Sequence, residues 1–126
     1  MTDIEPTKDD SKEGAIASCW RATFKQIVAS FIDGDYLLKS PITGVSKVSE
    51  DTANQIKDYI TDYGESLAHL PDDTWSSSVC IWLGNHWDVI IDLYTIESGL
   101  SDMVLQAKVF ESNSGYSYEI HMVYVP

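Results

Sequence analysis

Twenty carboxylates, three histidines and two cysteines are the groups in this 126-residue chain that could move protons, hold a metal or attack a substrate. Paired carboxylates act as acid and base when their surroundings push their pKa values apart, and among twenty acids some adjoin by chance. A metal set can be drawn from His86, Asp88 and His121, because residues two apart on a strand point the same way. Neither Cys-x-x-Cys, His-x-x-x-His nor calcium-loop spacing accompanies it. Cys80 and His86 could meet across a turn as nucleophile and base, but a thiol inside a strand is more commonly an inert core group. The sequence contains no Gly-x-Ser-x-Gly, phosphate-binding loop or dinucleotide fingerprint. The expectation is a protein that is not an enzyme and takes no cofactor and no metal.

Charge points instead to recognition. Twenty acids against eight bases give a formal charge of −12, unevenly spread. Residues 1–57 hold nine acids and seven bases, whereas residues 58–126 hold eleven acids and a single base, Lys108. Such a field repels nucleic acid and anionic membranes, since phosphate contacts need Lys and Arg, and it speeds association with a basic partner. The start of the chain, Met1-Thr2-Asp3-Ile4-Glu5, lacks the basic and apolar regions of an export signal, and the longest apolar run is Val79 to Leu83. These features predict a cytoplasmic protein. With only Cys19 and Cys80, on an apolar helix face and in a strand, two buried thiols are expected rather than a disulfide framework.

The elements that must position these groups follow from periodicity. Residues 1–13 carry five acids, two lysines and Pro6 with almost nothing apolar, which reads as a flexible acidic tail ahead of a single α+β domain over 14–126. From Ile16 to Ile32 apolar residues recur at spacings of three and four, an amphipathic helix stopped by Asp33-Gly34-Asp35. After a Pro41- and Gly44-bearing loop, Ser49 is placed as an N-cap, Glu50 and Asp51 suit the first turn, and Gly64 suits the C′ position, so a second helix spans about Glu50 to Tyr63. Asp58, Asp62 and Glu65 at its end oppose the helix dipole, a local irregularity of the kind that function can impose.

Ser76 to Thr95 then reads as a β-hairpin about Gly84-Asn85, because alternation of period two runs on both sides of the turn. Alternation around Met103 to Phe110 and Tyr118 to Val125 adds two further strands. Two N-terminal helices packed on one face of a four-stranded antiparallel meander is the expected fold. With the helices over Val79, Ile81, Val89, Ile91, Leu105 and Ile120, the opposite face presents Trp82, Asp88, Ile90, Asp92, Tyr94, Phe110, Glu119 and His121. Aromatic anchors among acids suit the centre of an interface.

Leu70-Pro71-Asp72, Trp75, Trp82, the run Trp87-Asp88-Val89-Ile90-Ile91-Asp92-Leu93-Tyr94-Thr95, and the closing Ser98-Gly99 and Ser101-Asp102 resemble a family of small uncharacterised bacterial domains with a Trp-x-Val-x-x-Asp-Leu-aromatic-Thr strand. The similarity spans Ile27 to Val125 and implies a fold, not an activity. In size, acidity and lack of catalytic apparatus the chain is also similar to immunity proteins of bacterial toxin systems, including contact-dependent growth inhibition. The expected function is thus neutralisation of a cognate toxin, such as a nuclease with a basic active site. The partner-binding residues would be Asp72, Asp73, Trp82, Asp88, Asp92, Tyr94, Glu97 and Asp102. The alternatives are a phage-encoded inhibitor that mimics nucleic acid, as anti-CRISPR proteins do, and a small metal-dependent hydrolase using His86, Asp88 and His121.

Overall fold

In a computed structural model, which describes residues 3–126, the chain is an α+β domain with its helices on one face of an antiparallel sheet. Helix α1 (Ser18–Ile32) buries Trp20, Phe24, Ile27, Val28 and Phe31, which recur at helical spacing. Helix α2 (Glu50–Tyr63) has the bounds that its caps dictate: Ser49 Oγ accepts from the Thr52 amide at 3.2 Å, and Gly64 ends it at φ 86°, where a side chain would be strained. The sheet order is that of the chain: β1 (Gly14–Ala15), β2 (Val79–Trp82), β3 (Trp87–Thr95), β4 (Gly99–Ser112) and β5 (Gly115–Tyr124).

The meander therefore has five strands, not the expected four. The extra one, β1, pairs Gly14 with Cys80 and Ala15 with Val79. Two residues are too few to show a period, so alternation carries no signal for this strand. Ile16 and Ala17, both fully buried, follow β1 before α1 begins.

Phase along β3 is clear: Trp87, Val89, Ile91, Leu93 and Thr95 are buried and the residues between them half-buried. Ladder partners in an antiparallel pair share a face. Cys80 lies opposite Val89 and Trp82 opposite Trp87, so both face the helices, whereas Val79 and Ile81 lie opposite Ile90 and Asp88 on the other side. This corrects the expected phase of β2, which placed Val79 and Ile81 inward and Trp82 outward. The cause is turn length: a two-residue turn at Gly84-Asn85, closed by the Leu83 amide donating to the His86 carbonyl at 2.8 Å, fixes Trp82 against Trp87.

At that end of the core Trp87 packs on Trp82, Trp20 and Tyr116, with ring centroids 4.6, 5.1 and 6.1 Å away. The stretch read as a flexible tail runs past this cluster. Trp87 Nε1 donates to the Thr7 carbonyl at 2.9 Å, which satisfies a buried indole, and the Lys8 ammonium sits 5.2 Å from the Trp82 ring and 2.7 Å from Glu111. Ile4 and Ser18 exchange two hydrogen bonds, at 2.8 and 2.9 Å. Met1 and Thr2, the first residues of that tail, lie outside the described residues.

Candidate functional site

Every helix packs on the face of Val89, Ile91, Leu105 and Val123, which together with α1 and α2 form one buried cluster. Val104 is 4 % exposed yet stands outside that cluster, because it faces the other way with Ile90, Val79 and Ile81. That second face carries the residues from which a site can be built. Asp88, Ile90, Asp92 and Tyr94 occupy it at every second position of β3, all half-buried. Asp88 and Asp92, four residues apart, are roughly 13 Å apart along the strand.

The two aspartates are held differently. Asp88 lies opposite Ile81 on β2 and Lys108 on β4, and Gln106 Nε2 donates to both of its carboxylate oxygens at 3.2 Å. Lys108 in turn lies opposite Glu119 on β5, so acid, base and acid form a row across three strands. Asp92 sits beyond the end of β2, where two hydroxyls replace the missing ladder partner. Its amide donates to Ser78 Oγ at 2.9 Å, and its carbonyl accepts from Thr74 Oγ1 at 2.6 Å. Thr74 and Ser78 are buried and bonded to each other at 3.0 Å, which fixes this backbone and turns the Asp92 side chain outward. Tyr94 follows a register shift between Asp92 and Tyr94, with its carbonyl taken by the Ala68 amide at 2.8 Å.

The other expected partner-binding residues do not join this group. Trp82 is on the helix side and packs against the core. Asp72 and Asp73 lie in a 3-10 turn, Asp72–Ser76, and Asp72 pairs with Lys25 of α1 at 2.7 Å, which holds its carboxyl below the usual range. Glu97 bends back to accept from the Ser66 amide at 2.6 Å, and that bond likewise lowers its pKa. Asp102 is exposed, and its amide donates to Tyr63 Oη of α2 at 3.2 Å. Val79 and Ile81 are the members of the open face that periodicity misplaced, whereas Val104, Gln106 and Lys108 join it in the phase that alternation along β4 gives, opposite Asp92, Ile90 and Asp88. The turn length carried the signal for Ile81, since it fixes the residue opposite Asp88.

The arrangement offers acceptors and half-buried apolar groups for recognition. His86, Asp88 and His121 do not form a ligand set: among the described residues no three His, Cys, Asp or Glu side chains are placed to hold a metal ion. His86 instead bonds Asn85 Oδ1 at 2.6 Å and stacks 5.2 Å from Phe110. Cys80 is buried on the helix side, away from His86, and burial pushes its thiol up to about 11, the opposite of what a nucleophile needs. Cys19, expected to be buried, is exposed. Among the described residues no helix is long and apolar enough to cross a membrane.

Residues 28–126 match the family described as Domain of unknown function (DUF7668), and the chain belongs to it. No curated protein and no solved structure matches the chain.

Proposed function

We propose that this member of a family of unknown function is an immunity protein, a non-enzymatic binder that neutralises a basic toxin domain, such as a nuclease, in the cytoplasm by covering it with the open sheet face. One observation carries the reading: Asp88 and Asp92 flank Ile90 on a face that no helix covers among the described residues, in a chain of formal charge −12. A half-buried apolar centre ringed by carboxylates suits a partner whose lysines and arginines surround an apolar anchor. Gln106 orients the Asp88 carboxylate in advance, which lowers the ordering cost on binding.

The test begins with the gene next to the one encoding this chain. Its product is expressed alone and together with the chain, and growth is followed. The reading expects toxicity alone, rescue by the native chain, and loss of rescue with Asp88→Lys/Asp92→Lys. A non-toxic neighbour, or full rescue by the charge-reversed variant, overturns it. Competition of the complex by excess DNA or RNA would favour mimicry of nucleic acid instead.

A further inference from the structure

Five lysines have no ion-pair partner among the described residues: Lys12, Lys108 on the open sheet face, and Lys39, Lys47 and Lys57 around one cleft. Lys8 and Lys25 are in ion pairs, and Arg21 donates twice to the Ile16 carbonyl while lying 5.4 Å from the Trp75 ring. Among the described residues Lys39, Lys47 and Lys57 have no ion-pair partner, and all three line two adjoining cavities around the segment 34–48. One, of about 220 Å³, lies between that segment and α2, with Asp35, Tyr36, Lys39, Asn54 and Lys57 in its wall. The other, of about 390 Å³, is walled by Leu37, Leu38, Ile42 and Val48 and lined also by Lys39 and Lys47. Leu37 and Lys39 belong to both.

Two further features set this cleft apart. Leu38 has φ 53°, the one non-glycine residue at positive φ among those described, so its apolar wall is held in a conformation that a leucine rarely adopts. Asp35, the acid nearest in sequence to Lys39 along the cleft, accepts from the Lys39 and Ser40 amides at 2.8 and 3.0 Å. Its carboxylate is held by the backbone and forms no ion pair with Lys39 or Lys57, although its charge is felt by Lys39.

We propose that this cleft binds an amphiphilic carboxylate, with the acyl chain in the apolar cavity and the head group among Lys39, Lys47 and Lys57. An aliphatic chain matches the Leu, Ile and Val walls. A single negative charge complements the three lysines without ion-pair partners that line these cavities. A zwitterion or a cation of the same chain length would lack that second match. The site is separate from the open sheet face, so its fate leaves the reading of that face untouched.

The test is calorimetric titration of the full chain with decanoate below its micelle concentration, beside octanoate, acetate and decyltrimethylammonium. Decanoate should bind one to one. Octanoate, lacking two methylenes, should bind on the order of tenfold more weakly, since each buried methylene is worth about fourfold. Acetate and decyltrimethylammonium should give no binding. Lys39→Ala/Lys47→Ala, at exposed positions, should weaken decanoate about fivefold or more while the urea midpoint stays in place. Amide shifts in the native chain, which need no variant, should fall within residues 34–57. Absence of decanoate binding, equal binding of decyltrimethylammonium, undiminished binding by the double variant, or shifts centred on β3 would each overturn the proposal.

Discussion

Gln55 of α2 holds Val123 of β5 at both ends of one side chain: its Nε2 donates to the Val123 carbonyl at 2.6 Å and its Oε1 accepts from the Val123 amide at 3.1 Å. The amide of Gln55 thus imitates the next strand of the sheet. Nearby the Tyr118 amide donates to the Gly44 carbonyl, the Ser46 amide to the Tyr118 carbonyl, and the Val125 amide to Tyr59 Oη. An edge strand with open amides and carbonyls invites pairing with another chain, and these contacts occupy it. Gln55→Ala should lower the free energy of unfolding by about 1–2 kcal/mol, the worth of two hydrogen bonds with one partner left behind. Hydrogen exchange at the Val123 amide should quicken, and the variant should associate at lower concentration than the native chain. Unchanged exchange at Val123 would contradict this role.

Trp82 and Ile81 are neighbours in sequence with opposite duties. Trp82 packs on Trp87 with its ring tilted by 56°, against the core cluster, whereas Ile81 lies on the open face beside Asp88. Trp82→Ala should destabilise by about 2–4 kcal/mol, near the low end for a core aromatic because the residue is only half-buried. Ile81→Ala should cost about 1 kcal/mol or less and act on partner binding instead. Urea unfolding of the two variants separates them, and equal losses would contradict the assigned faces.

The caps of α2 were legible residue by residue, because Ser49 and Gly64 act through their own backbone and need no tertiary information. β3 was legible because nine residues alternate without a break. β2 was not: Val79, Cys80, Ile81 and Trp82 are all apolar, so hydrophobicity carries no phase, and the face is set by the turn beyond them. That error moved Trp82 into the candidate site and left Ile81 out. Acidic residues were legible as charge but not as contacts. Asp72 and Glu97 are committed to Lys25 and to the Ser66 amide, partners 47 and 31 residues away. Glu65, read as an irregularity at a helix end, accepts from the Thr95 and Ser98 hydroxyls at 2.7 Å each and ties α2 to the β3–β4 turn. Nothing in the structure explains Asp58 and Asp62.

The two thiols should differ in reactivity and in their effect on alkaline stability. Cys80 lies on the helix side of β2 with its Sγ donating to the Ala15 carbonyl at 3.4 Å, and burial raises it to about 11. Cys19 is exposed, and its thiol is raised by partial burial. A disulfide reagent at pH 8 should therefore modify Cys19 first and reach Cys80 only through opening of the β1–β2 edge; equal rates would contradict the placement of Cys80. An unfolded thiol ionises near about 8.5, so folding favours the protonated form of Cys80. The stability that this lends is complete below that pH and is lost as the pH climbs toward 11. Burial raises Tyr116 and Tyr118 in the same sense, adding to the loss at higher pH. The urea midpoint should fall between about pH 8.5 and 11, and Cys80→Ala should make that fall shallower without abolishing it. An equally steep fall in the variant would assign the alkaline loss to Cys19 and the tyrosines.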